Sequence, residues 1–159
     1  MATPIAKPEA VVVRRTFAAP REKVFKAWTD PKLMARWFCR CAGHAPTRVL
    51  EADARAGGAY RIEVEGPIQG AAGTMLYRGW GSYREVRPPE RLVFTWNWEH
   101  DEFKDTLVTV EFRTLGESGF TEVTLTHELL PTEKARAEHR TGWGECFAML
   151  ERTLRGEEF

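Results

Sequence analysis

Residues Thr121–Leu130 read TEVTLTHELL, Pro131–Thr132 follow, and Glu133–Gly156 then carries the pattern of a long helix. Strand side chains alternate, so Val123, Leu125 and His127 share one face and Glu122, Thr124 and Thr126 the other. In the helix, Trp143, Phe147, Leu150 and Leu154 recur at spacings of four, three and four, which is one stripe of a 3.6-residue period. Thr132 stands where an N-cap belongs. A strand with one apolar face, followed by a long helix with an aromatic stripe, predicts a sheet that grips a helix. The space between them is then either packed core or a pocket.

Strand patterns precede this stretch. Arg91–Trp98 (RLVFTWNW) sets Leu92, Phe94, Trp96 and Trp98 against Val93, Thr95 and Asn97. Thr106–Phe112 puts Val108, Val110 and Phe112 on one side, and Leu115–Gly119 marks the hairpin into the last strand. Thr74–Val86 reads as a long strand interrupted by Gly79 and Gly81, where a bend or bulge is expected. Gly66–Gly73 connects it to Ala59–Glu65, in which Tyr60, Ile62 and Val64 oppose a solvated face of Arg61 and Glu63. Arg48–Asp53 is a shorter strand that ends at the Arg55–Gly58 turn, where glycine supplies a positive φ. Val11–Phe17 is the first strand, and alternation leaves open which of Arg14 and Arg15 faces inward.

Between the first two strands lie two short helical patterns. The first follows Pro20 and carries Val24, Phe25 and Trp28. The second has Asp30 as N-cap, Pro31 at the first helical position, and Leu33, Met34 and Trp37 on its apolar face. The order is strand, two short helices, about six strands and a long helix, joined by short turns. That order predicts an antiparallel sheet in the α+β class.

At 159 residues the chain is expected to form a single domain over 11–159, with 1–10 as a flexible arm. Lys and Arg number 23, as do Asp and Glu, so bulk positive charge cannot recruit nucleic acid. No apolar run approaches the roughly 20 residues of a membrane span, so no membrane insertion is expected. Three cysteines do not make a disulfide framework, and a cytoplasmic, reducing setting is expected. Cys39, Cys41 and His44 form a C-x-C-x-x-H cluster, and Cys146 joins it as a fourth ligand only if the fold brings the closing helix near. The spacing is not the usual zinc knuckle, and no metal and no cofactor are expected.

The chain resembles the family of activator-of-heat-shock-protein-ATPase homologues, within the START-related, pollen-allergen-like (SRPBCC) domains. The resemblance rests on Arg15–Pro20 (RTFAAP), Val24–Phe25, Ala27–Pro31 (AWTDP), Trp37, Asp53–Gly58 (DARAGG), Tyr60–Arg61, Gly81–Val86 (GSYREV), Pro88–Leu92 (PPERL), Phe94–Trp96 (FTW), Thr124–His127 (TLTH) and Gly142–Trp143. It implies a helix-grip fold: a curved antiparallel sheet of about seven strands wrapped around the C-terminal helix, with two short helices after the first strand. It also implies a cavity between sheet and helix, which many relatives use for lipids, hormones or other apolar molecules. The co-chaperones of the family carry a further N-terminal domain, and the residues before Val11 leave no room for it. A chaperone partner is therefore not expected.

The expected function is binding of an apolar or amphipathic small molecule between sheet and helix. The expected ligand-binding residues are Trp37, Phe38, Tyr60, Trp80, Phe94, Trp96, Trp98, His127, Trp143 and Phe147. Aromatic rings give large contact area to flat or chain-like ligands, and equally they fill cores. Trp80, Trp96, Trp143 and Phe147 would form the walls, His127 a polar contact, and the loop at Trp37 and Phe38 a gate. Two alternatives stand beside this reading. One is a cavity enzyme of cyclase, dehydratase or hydrolase type, for which the sequence names no catalytic residue. The other is an interaction module that activates a chaperone ATPase. Exposed sheet edges also permit a homodimer.

Overall fold

The period-two patterns become seven antiparallel strands: β1 Val11–Phe17, β2 Arg48–Ala52, β3 Ala59–Pro67, β4 Thr74–Arg87, β5 Arg91–Trp98, β6 Thr106–Leu115 and β7 Phe120–Glu128. Helices α1 (Arg21–Thr29) and α2 (Pro31–Trp37) follow β1, and α3 (Glu133–Leu154) closes the chain. This is a computed structural model, and it describes residues 10–40, 45–68 and 70–157. Except for Ala10, the expected N-terminal arm lies outside the described residues, as do Cys41 and His44 of the cysteine cluster. The strand order is β1-β7-β6-β5-β4-β3-β2, one continuous sheet with β1 and β2 at its edges. Among the described residues, no helix is long and apolar enough to cross a membrane.

The helix boundaries follow their caps. Asp30 accepts from the Lys32 backbone N–H at 2.9 Å, with Pro31 behind it. Thr132 accepts from the Ala135 N–H at 3.1 Å. Helix α3 stops at Leu154, two residues before the expected end, and Gly156 turns with φ 75°. Along β1, Arg15 faces inward and pairs with Glu151 of α3, while Arg14 on the outer face donates to Thr124 Oγ1.

Helices α1 and α2 cover one half of the concave face. Trp28 and Trp37 meet edge to face at 4.6 Å, and Trp28 also reaches Phe112 and Phe147 at 6.1 and 6.0 Å. Trp37 Nε1 donates to the Ala27 carbonyl at 2.9 Å, so its buried polar atom is satisfied. Only a void of about 10 Å³ remains between Trp28, Met34, Phe38, Tyr60, Tyr83, Leu92 and Phe94. This half of the interior is packed.

The irregularity expected in β4 occurs elsewhere. Its register against β5 shifts between Tyr83 and Glu85, not at Gly79 or Gly81. Gly81 has a different reason to be glycine. A Cβ there would lie 2.0 Å from the Thr95 carbonyl oxygen and 2.6 Å from the Tyr60 hydroxyl. The missing side chain lets Tyr60 reach across and donate to Thr95 O at 2.6 Å. Gly81→Ala is expected to cost about 2 kcal/mol of stability, the scale of overpacking in a core with no slack. Urea unfolding measures it, and a loss under about 0.5 kcal/mol would show that the strands part easily at this point.

Candidate functional site

Helix α3 rests on β1, α1 and α2. At the other end of the sheet, a cavity of about 550 Å³ separates it from β3, β4 and β5. Val64 and Gly66 of β3, Tyr77 of β4, and Trp96 and Trp98 of β5 form the sheet wall. His139, Gly142, Trp143 and Cys146 of α3 form the helix wall, and Cys39 lies between α2 and the sheet. The rings surround the space at steep angles. Trp96 meets Trp98 at 5.3 Å and 89°, and Trp143 at 5.2 Å and 53°; Tyr77 meets Trp98 at 6.3 Å and 71°.

A buried hydrogen-bond chain holds two of these rings. The Trp143 indole N–H donates to His127 Nδ1 at 3.1 Å. His127 Nε2 lies 2.8 Å from Thr106 Oγ1, and that hydroxyl donates to the Trp96 carbonyl at 3.0 Å. An indole nitrogen only donates and a carbonyl oxygen only accepts. Both ends therefore assign the same tautomer: Nε2 carries the proton and Nδ1 is the acceptor. His127 has no solvent exposure, and burial drives its pKa down to about 3, with the nearby His139 adding to the effect. A charged ring would set Nδ1–H against the indole N–H.

The expected site residues divide into three groups. Trp96, Trp98 and Trp143 line the cavity together. Trp37, Phe38, Tyr60, Phe94 and Phe147 are at most 2% exposed and sit in the packed half, so Trp37 and Phe38 are core and not a gate. His127 is enclosed with both ring nitrogens engaged and is not part of the cavity lining, so it positions Trp143. Trp80, expected in the wall, points to the opposite face. It pairs with Asn97 in register and is 36% exposed, with Lys104 Nζ 5.7 Å from its ring centroid. Alternation places Trp80 outward because Tyr77, Gly79 and Gly81 take the inward positions.

Tyr77, His100, Asp101, Glu138, His139 and Glu145 also line the cavity and were not among the expected residues. His139 was legible, since it lies four residues before Trp143 on the same helical stripe. His100 and Asp101 sit in the connection after β5, where no periodicity marks them. Cys39 and Cys146 are 107 residues apart in sequence yet share this cavity. Among the described residues, no group of His, Cys, Asp or Glu is arranged to hold a metal ion.

Polar atoms in the walls are few. His139 Nδ1 lies 2.7 Å from the Ala135 carbonyl, so it carries the proton, and the neutral ring presents an Nε2 lone pair. That Nε2 and the Trp96 indole N–H are both buried and without a hydrogen-bond partner.

One family model, described as Activator of Hsp90 ATPase homolog 1-like protein, matches residues 18–155. Among curated proteins, none matches the chain. Solved structures share the fold over nearly their full length. A Chromobacterium violaceum protein is 26% identical with a TM-score of 0.77, covering 95% of this chain and 100% of its own. A Staphylococcus epidermidis protein is 25% identical with a TM-score of 0.75, covering 99% and 97%. A Rhodobacter sphaeroides protein is 25% identical with a TM-score of 0.70, covering 94% and 95%.

The histidine chain makes stability depend on pH. The folded state keeps His127 neutral down to about pH 3, whereas an unfolded histidine takes up a proton near pH 6.5. Its contribution is complete above about pH 6.5 and is lost as the pH falls toward 3, with a limiting slope of about 1.4 kcal/mol per pH unit. His127→Gln keeps a donor and an acceptor without titrating. Urea unfolding from about pH 4 to about pH 6 should give a flatter profile for the variant. Identical slopes would mean that His127 does not take up this proton.

Proposed function

The chain belongs to the family of Activator of Hsp90 ATPase homolog 1-like proteins, and from that premise we propose that it is a small-molecule-binding protein. It holds an apolar or amphipathic ligand between the sheet and α3. The observation that carries this reading is the cavity of about 550 Å³ walled by Trp96, Trp98, Trp143 and Tyr77. Ligand sites in proteins run from about 300 to 1,000 Å³ and are mostly apolar with a few placed polar groups. The same reading takes the chain as one domain working in the cytoplasm, where Cys39 and Cys146 stay reduced.

The packing supports a site over a core left unfilled by chance. The other half of the interior closes to a void of about 10 Å³, so this sequence can fill space where filling is needed. At the cavity it places Gly66 and Gly142. Gly142 lies within a helix, where glycine costs about 1 kcal/mol relative to alanine. A Cβ on it would meet nothing within 4 Å. No contact in the fold requires glycine there, whereas open space beside a ligand does benefit from it.

Gly142→Leu tests the reading. The added side chain occupies the cavity without a clash, so stability should hold or rise. Binding of the neutral apolar dye Nile red, followed by its fluorescence, should weaken at least about tenfold. Unchanged dye affinity in a folded variant would place binding elsewhere. Native mass spectrometry of the freshly purified protein, followed by denaturation, would give the mass of any molecule that travels with it.

A further inference from the structure

We propose that the ligand is an organic cation: a ring-bearing apolar body that carries a protonated amine. This rests on the cavity being a binding site and adds its chemical class.

Three observations point the same way. First, the rings of Trp96, Trp98, Trp143 and Tyr77 line one space and stand at steep angles to one another, so a guest among them meets aromatic rings in more than one orientation. Aromatic faces carry negative quadrupole charge and attract a cation within about 6 Å of the ring centre, most strongly where water is excluded. Indoles are the best of the natural rings for this.

Second, the charged lining is acidic. Asp101, Glu138 and Glu145 bring three carboxylates, against the guanidinium of Arg40. Arg40 Nη1 donates to the Arg36 carbonyl at 3.2 Å, and three carboxylates against one guanidinium leave the lining net acidic. Glu138 and Glu145 make no ion pair with any described residue. Asp101 has His100 Nε2 at 3.6 Å from its Oδ1 and keeps a second oxygen. In a chain whose formal net charge is zero, this is a local negative field at the mouth of an apolar cavity.

Third, the unpartnered wall atoms suit an amine with a polar body. His139 Nε2 is a buried lone pair without a donor, and an ammonium N–H supplies one. Trp96, 96% buried because it is 4% exposed, has an indole N–H without an acceptor. An oxygen on the ligand body meets that need. A buried polar atom left unpaired is costly, so a ligand that pairs both gains from it.

Three probes of similar shape separate charge from apolar contact: naphthylmethylamine, which is cationic at neutral pH, naphthylmethanol and naphthoate. Each is titrated by calorimetry into the protein and into the folded triple variant D101N/E138Q/E145Q. The amine should bind about tenfold tighter than the alcohol, with naphthoate weakest. In the variant the amine should fall to near the alcohol, whose own affinity should stay the same. If the amine binds no tighter than the alcohol, or if its advantage survives in the variant, the cationic class is wrong and the cavity reading stands. If none of the three binds while Nile red does, the cationic class is again overturned. Failure of Nile red as well would remove the binding site on which the inference depends.

Discussion

The chain from Trp143 through His127 and Thr106 to the Trp96 carbonyl is the constraint on which the interior depends. It joins α3 to β7, β6 and β5 through three buried hydrogen bonds. Each group has one role available to it, so the chain specifies a single tautomer and a single setting of the Trp143 ring. A buried network of this kind is costly if half satisfied and specific when complete. Its completeness fixes two walls of the cavity, while His127 itself is not part of the lining.

The cavity follows from an unequal division of the concave face. The insertion of α1 and α2 after β1 fills one part of the concave face, from Phe112 of β6 across to Tyr60 of β3, and α3 packs on those helices and on β1. A gap is left between α3 and one end of β3, β4 and β5, and the rings of Tyr77, Trp96 and Trp98 line it without closing it. Gly142 leaves open space on the helix side, and Gly66 leaves room for the Tyr77 ring on the sheet side. Rigid packing on one side and open space on the other give a preformed cavity, and a preformed cavity reduces the ordering that any binding would need.

Most of the architecture was legible from the chain. Strand alternation and helix periodicity are local properties, and the caps at Asp30 and Thr132 fall where the sequence predicts them. The inward face of β7 and the aromatic stripe of α3 were readable for the same reason. The site was readable in part. Trp96, Trp98 and Trp143 could be named because each lies on an inward face of a recognisable element. His127 was placed next to Trp143, but alternation cannot report that both of its nitrogens are satisfied. Trp80 was placed in the wall with the other rings, whereas alternation along β4 turns it to the outer face. Asp101 and His100 carried no signal, since a connecting loop has no period.

The sequence by itself determined which faces are apolar, the order and type of the elements, and the family that follows from that order. It did so because backbone geometry imposes periods of two and 3.6 on side chains whatever else is nearby. Only the tertiary structure decided which rings are core and which are wall. That choice depends on where α3 comes to rest over the sheet, and the position is set by contacts among β1, α1 and α2 far from the cavity in sequence. The same packing gathers Cys39, Tyr77, Asp101, His139 and Cys146 around one space, a grouping that no local spacing encodes.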